Sequence, residues 1–79
     1  SQIKNKIILD LGCGDCMNAA IMAALGAKVY ANDISNYSGE IVKKLNKNYN
    51  FVSPIRYLNG DFLKYETTEA TCQTQIHHT

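Results

Sequence analysis

Seventy-nine residues make at most one small domain, and a chain of this size buries only about 60% of the surface its unfolded form exposes, so its stability is marginal. At 46% hydrophobic and 19% charged the composition is that of an ordinary soluble globular chain, and it excludes disordered and fibrous classes. The net charge of +1 provides no basic field of the kind nucleic acid binding usually needs.

The first element in chain order is Ile7-Ile8-Leu9-Asp10-Leu11, an apolar run interrupted only by Asp10 and stopped by Gly12, as suits a buried parallel strand. Cys16 to Leu25 then carries alanines, methionines and Ile21 without a breaker, with Gly26 at the usual place for a left-handed helix stop. That predicts a helix, apolar nearly all round and so well covered. Lys28-Val29-Tyr30-Ala31-Asn32 reads as a second strand with Asp33 just past its end, and Ser35 and Asn36 supply N-cap chemistry for the next helix. From Asn36 to Tyr49, the residues Tyr37, Ile41, Leu45 and Tyr49 recur at i+4, with Lys43, Lys44 and Lys47 mostly turned away. This pattern predicts an amphipathic helix packing that stripe on a sheet as core. Pro54 introduces a third short strand, Ile55-Arg56-Tyr57-Leu58-Asn59, ended by Gly60-Asp61. After Tyr65 the pattern stops. Residues 66–79 are polar and threonine-rich and are expected to form a poorly ordered tail or a short helical stub, beside a domain over residues 1–65.

Strand, helix, strand, helix, strand is a βαβαβ unit, an α/β arrangement with right-handed crossovers and a parallel sheet. Asp10, Asp33 and Asp61 lie at or just beyond the C-terminal ends of its three strands, the edge where an open α/β sheet binds ligands. Gly12 and Gly14 occupy the first of these turns, where the absence of a β-carbon permits a tight turn and close approach. The amides opening the following helix point at the same space. Met17 is too bulky for the third position of a dinucleotide G-x-G-x-x-G/A loop. Acids at all three strand ends disfavour a phosphate-rich cofactor and favour a ligand with ribose hydroxyls, amines and a cationic centre. Asp33 also follows Gly12 at close to the spacing of about 20 residues that brings a carboxylate onto ribose hydroxyls.

Ile8-Leu9-Asp10-Leu11-Gly12-Cys13-Gly14-Asp15 resembles motif I of the class I S-adenosylmethionine-dependent methyltransferases. Ala31-Asn32-Asp33-Ile34-Ser35 resembles their second motif, and Asn59-Gly60-Asp61-Phe62 their third. The resemblance covers roughly residues 7 to 65, in order and at family-like spacing. It implies S-adenosyl-L-methionine as cofactor, with Asp10, Gly12 and Gly14 shaping the loop around its methionine moiety and Asp33 on the ribose hydroxyls. Ile34 would flank the adenine face, Asp61 would accept from the adenine amino group, and Phe62 would lie beside the ring.

The implied fold is the front part of a Rossmann-like domain, a three-stranded parallel sheet of order 3-2-1, truncated because the family continues for about four more strands. The motif that usually orients the methyl acceptor has no counterpart, so no catalytic residue is assigned. Motif I also often carries a third glycine where this chain has Cys16. The reaction implied is displacement at the sulfonium methyl by an acceptor that is a small molecule or, with less support, an RNA. Strand one would be an exposed edge, expected to be covered by a partner subunit or a dimer.

Other readings remain at this stage. An inactive remnant that docks on a partner would need no cofactor. Cys13-Gly14-Asp15-Cys16 has the CxxC spacing of a redox pair at a helix N-terminus, and Cys13, Cys16, Cys72 and His77 or His78 would form a zinc site only if the tail folded back. The plain account of Cys13 and Cys16 is small, partly buried loop residues, and no metal is expected. The odd count of three cysteines, the lack of a signal-peptide core in residues 1–6 and the absence of an apolar run of about 20 residues suggest a cytoplasmic protein without membrane contact.

Overall fold

A computed structural model describes residues 2–60 and, for residues 74–78, the main chain. The elements follow as β1 (Ile7–Leu11), α1 (Met17–Ala24), β2 (Lys28–Asp33), α2 (Asn36–Asn48), β3 (Arg56–Asn59) and β4 (Thr74–His78).

Local chemistry sets the helix ends. The Asp15 carboxylate accepts from the Met17 amide at 3.1 Å, satisfying one of the donors a helix start leaves open. At the far end Gly26, at φ +96°, donates to the Ala23 carbonyl at 3.0 Å, and the Ala27 amide donates to Met22 at 3.1 Å. Those two bonds are a Schellman stop, and only glycine takes its left-handed conformation without cost. Ser35 caps α2, its hydroxyl accepting from the Tyr37 amide at 3.1 Å.

The sheet is parallel, of order β3-β2-β1-β4. The expectation of a three-stranded sheet with β1 at its edge is therefore corrected. Thr74–His78, expected to lie in a poorly ordered tail, pairs along the whole of β1, from Ile7 opposite Thr74 to Leu11 opposite His78. Main-chain ladder bonds do not depend on side-chain polarity, so an open strand edge recruits a polar segment as readily as an apolar one. The reason for invoking a partner on the β1 edge falls with this pairing. Residues 66–73 and 79 lie outside the described residues.

Alternation along the strands divides the core. Ile8, Val29 and Ala31 join Ala19 and Ala23 of α1 and Val42 of α2 in one buried cluster, and Leu9 and Tyr30 head a second one. Both helices thus pack on one face of the sheet.

Two expectations about helix faces are also corrected. In α1 the buried residues are Ala19 and Ala23, whereas Met17, Ile21 and Leu25 are 58%, 54% and 47% exposed. Small side chains allow α1 to approach the sheet closely, and the larger ones are left outside. In α2 the buried residues are Ser38 and Val42, with Ile41 and Leu45 only partly buried and Tyr37 and Tyr49 exposed. A repeat of four residues rotates about 40° per step around a helix of 3.6 residues per turn, so that stripe winds off the sheet at both ends.

Candidate functional site

The parallel sheet brings the ends of β1, β2 and β3 to one edge. Beyond β1, the ladder to β2 continues for one more bond, from the Cys13 amide to the Asn32 carbonyl at 2.9 Å. The chain then turns through Gly12 at φ +67° and Gly14 at φ +56°. A β-carbon at either glycine would meet no atom within 4 Å. Gly60, at φ +102°, is open in the same way. Two main-chain turns at this edge, one through Gly12 and Gly14 and one at Gly60, therefore have open space on the side where a β-carbon would stand.

Both backbone polar groups of Gly14 are held. Its amide donates to Asp33 Oδ2 at 2.9 Å, and its carbonyl accepts from the hydroxyl of the buried Ser38 at 2.6 Å. Asp33 Oδ1 accepts from the Ser35 amide at 3.1 Å. The Gly14 bond, with the Ser35 and Ile34 amides behind it, holds the Asp33 carboxyl below the ordinary aspartate value, against the opposing effect of burial. Asp33 is thus an ionised carboxylate whose oxygens retain further lone pairs for hydroxyl donors.

Of the residues marked in the sequence, Gly14 and Asp33 are joined directly, and Gly12 lies in the same turn. Asp10 is fully buried, on the same face of β1 as Ile8, so its place is beneath the loop. Ile34 is 81% exposed next to Asp33, offering an aliphatic face at the sheet edge. Asp61 and Phe62 lie outside the described residues.

Cys13 and Cys16 are free and buried, with the Cys16 thiol donating to the Cys13 sulfur at 3.0 Å. Burial raises both thiols above the ordinary value, and the carboxylate of Asp10 adds to the effect in each. A redox pair needs an accessible, stabilised thiolate, and this environment is the reverse. Cys16 has φ +62°, a left-handed conformation that glycine adopts freely. A glycine at this position, as motif I often has, would therefore suit the backbone. Among the described residues no group of three or more His, Cys, Asp or Glu side chains is arranged to hold a metal. Cys72 is outside them, as are the side chains of His77 and His78.

Two residues of the site, Ser38 and Tyr57, carry no motif signal, and Asn32 lies in the second motif without a role assigned to it there. Ser38 holds the Gly14 carbonyl. The Asn32 side chain donates to the carbonyls of Leu58 at 2.8 Å and Gly60 at 3.1 Å. The Tyr57 hydroxyl reaches the carbonyls of Asp33, at 3.1 Å, and Ser35. Each acts on main chain distant in sequence, which spacing alone does not reveal.

A family model described as a methyltransferase domain matches residues 8–79. No curated protein matches the chain.

Proposed function

As the chain belongs to the methyltransferase domain family, we propose that the edge formed by Gly12, Gly14, Asp33 and Gly60 binds S-adenosyl-L-methionine for methyl transfer. The observation that carries this reading is the Gly14 amide held on the Asp33 carboxylate at 2.9 Å, in a turn whose glycines would place a β-carbon in open space. Bound cofactor supplies a sulfonium methyl group for displacement by an acceptor nucleophile.

The residues of this chain bind and orient. Asp33 accepts from the ribose hydroxyls, its charge kept by the Gly14 and Ser35 amides. Gly12 and Gly14 allow the main chain to approach the methionine moiety, over the buried Asp10. Ile34 covers one adenine face, while Asp61 accepts from the adenine amino group and Phe62 lies beside the ring. Holding the methyl donor in one orientation is itself a large part of catalysis in a direct displacement.

Calorimetry of the folded protein with S-adenosylhomocysteine is expected to show saturable binding. Asp33→Ala should weaken it by about 10- to 100-fold, as expected for losing hydrogen bonds to a charged group. Folded wild-type protein that binds neither S-adenosylhomocysteine nor S-adenosylmethionine would refute the reading.

A further inference from the structure

Tyr57 lies on β3, opposite Ala31 of β2, and its ring rests on α2 at Gly39. A β-carbon at Gly39 would fall 2.9 Å from Tyr57 Cε2, closer than real β-carbons approach, and 3.0 Å from Cδ2, tighter than nearly all of them do. The absence of a side chain at Gly39 is therefore what admits the ring. From that seat the single hydroxyl proton is shared, as a three-centre bond, between the main-chain carbonyls of Asp33, at 3.1 Å, and Ser35, and the oxygen accepts from the Asn59 side chain at 3.5 Å. The Asp33 carbonyl also accepts from the Gly60 amide at 2.9 Å.

These contacts converge on the turn from β2 to α2. Drawing the carbonyls of Asp33 and Ser35 towards one hydroxyl sets the orientation of the peptides between them. The Ser35 amide then meets Asp33 Oδ1 at 3.1 Å and the Ser35 hydroxyl caps α2. We propose that Tyr57, seated on Gly39, is the positioning residue for the Asp33 carboxylate, acting through the main chain of this turn. The role in cofactor binding rests on the reading of Asp33 as the ribose-binding acid. Burial keeps the phenol protonated well into the alkaline range, with the Asn59 hydrogen bond opposing it only in part, so the clamp persists at neutral pH.

Tyr57→Phe keeps the ring and removes the hydroxyl. In the full chain, an NMR titration of the Asp33 side-chain carboxyl should move up toward the ordinary aspartate value, because the turn no longer aims its amides. The dissociation constant for S-adenosylhomocysteine should rise about five- to tenfold, as for one lost hydrogen bond. Gly39→Ala should move the Asp33 titration in the same direction by displacing the ring, even though alanine favours the helix. That combination separates positioning from a merely structural role. A folded Tyr57→Phe or Gly39→Ala protein that titrates Asp33 as the wild type does overturns the proposal, as does Tyr57→Phe with unchanged affinity. Wild-type protein that fails to bind S-adenosylhomocysteine overturns the cofactor reading instead, and the Asp33 titration still tests the clamp.

Discussion

At the scale of single residues, the site depends on Asp33 serving two purposes at once. Its carboxylate secures the glycine loop through Gly14 and the start of α2 through Ser35, and the same bonds keep it ionised. Its folded-state value lies below the ordinary 3.8. Its contribution to stability is therefore present above the unfolded value and is lost as pH falls through the folded one. Urea denaturation of wild type and Asp33→Asn should show a gap below about 1 kcal/mol for this partly exposed group, largest near about pH 7 and closing below about pH 4. A gap independent of pH would mean that the charge plays no part. Asp33 was recognisable in the sequence from its place after a strand. Its bond to Gly14 was not, because nothing in the spacing says which donor the carboxylate meets.

At the scale of elements, β2 is the hub of the edge. The side chain of Asn32, only 6% exposed, fastens the end of β3 to β2 through the carbonyls of Leu58 and Gly60. Removing that amide leaves two partly buried carbonyl acceptors without their donor. Asn32→Ala should cost about 1–3 kcal/mol in urea denaturation, and a cost within experimental error would show that water replaces the side chain there. The elements themselves were mostly legible. Apolar runs, the Gly26 stop and the Ser35 cap place five of them to within a residue or two at each end, since those signals act locally. The buried line of α2 was not legible. Tyr37 and Tyr49 are large and apolar enough to suggest core, but contact with the sheet selects Ser38, Gly39 and Val42, whose small size admits neighbouring main chain and the Tyr57 ring.

At the scale of the whole molecule, a parallel sheet sorts charge by strand direction. Lys6, Lys28 and Arg56 stand at the starts of β1, β2 and β3, while Asp10, Asp15 and Asp33 stand at or beyond the ends of β1 and β2. The opposite edges therefore carry opposite charge in a chain of net charge +1. The acidic edge favours a cationic ligand. S-adenosylmethionine, with its sulfonium charge, should bind about two- to fourfold more tightly than neutral S-adenosylhomocysteine at an ionic strength of about 0.01 M. The preference should shrink at about 0.15 M, where screening is stronger. An unchanged ratio between the two salts, measured by calorimetry, would show that the field of this edge contributes nothing. No helix among the described residues is long and apolar enough to cross a membrane.

The sequence by itself determined the order of the first five elements, the tight turn at Gly12 and Gly14, the left-handed helix stop at Gly26, and the placing of acids at the ends of β1 and β2. These follow from backbone sterics and hydrophobic period, which operate over a few residues. Only the tertiary structure decided which helix faces meet the sheet, that Gly14, Asp33, Ser38 and Tyr57 form one connected network, and that Thr74–His78 completes the sheet beside β1. Those outcomes depend on contacts between residues far apart in the chain, and, for β4, on main-chain hydrogen bonding that leaves no mark in the side-chain pattern.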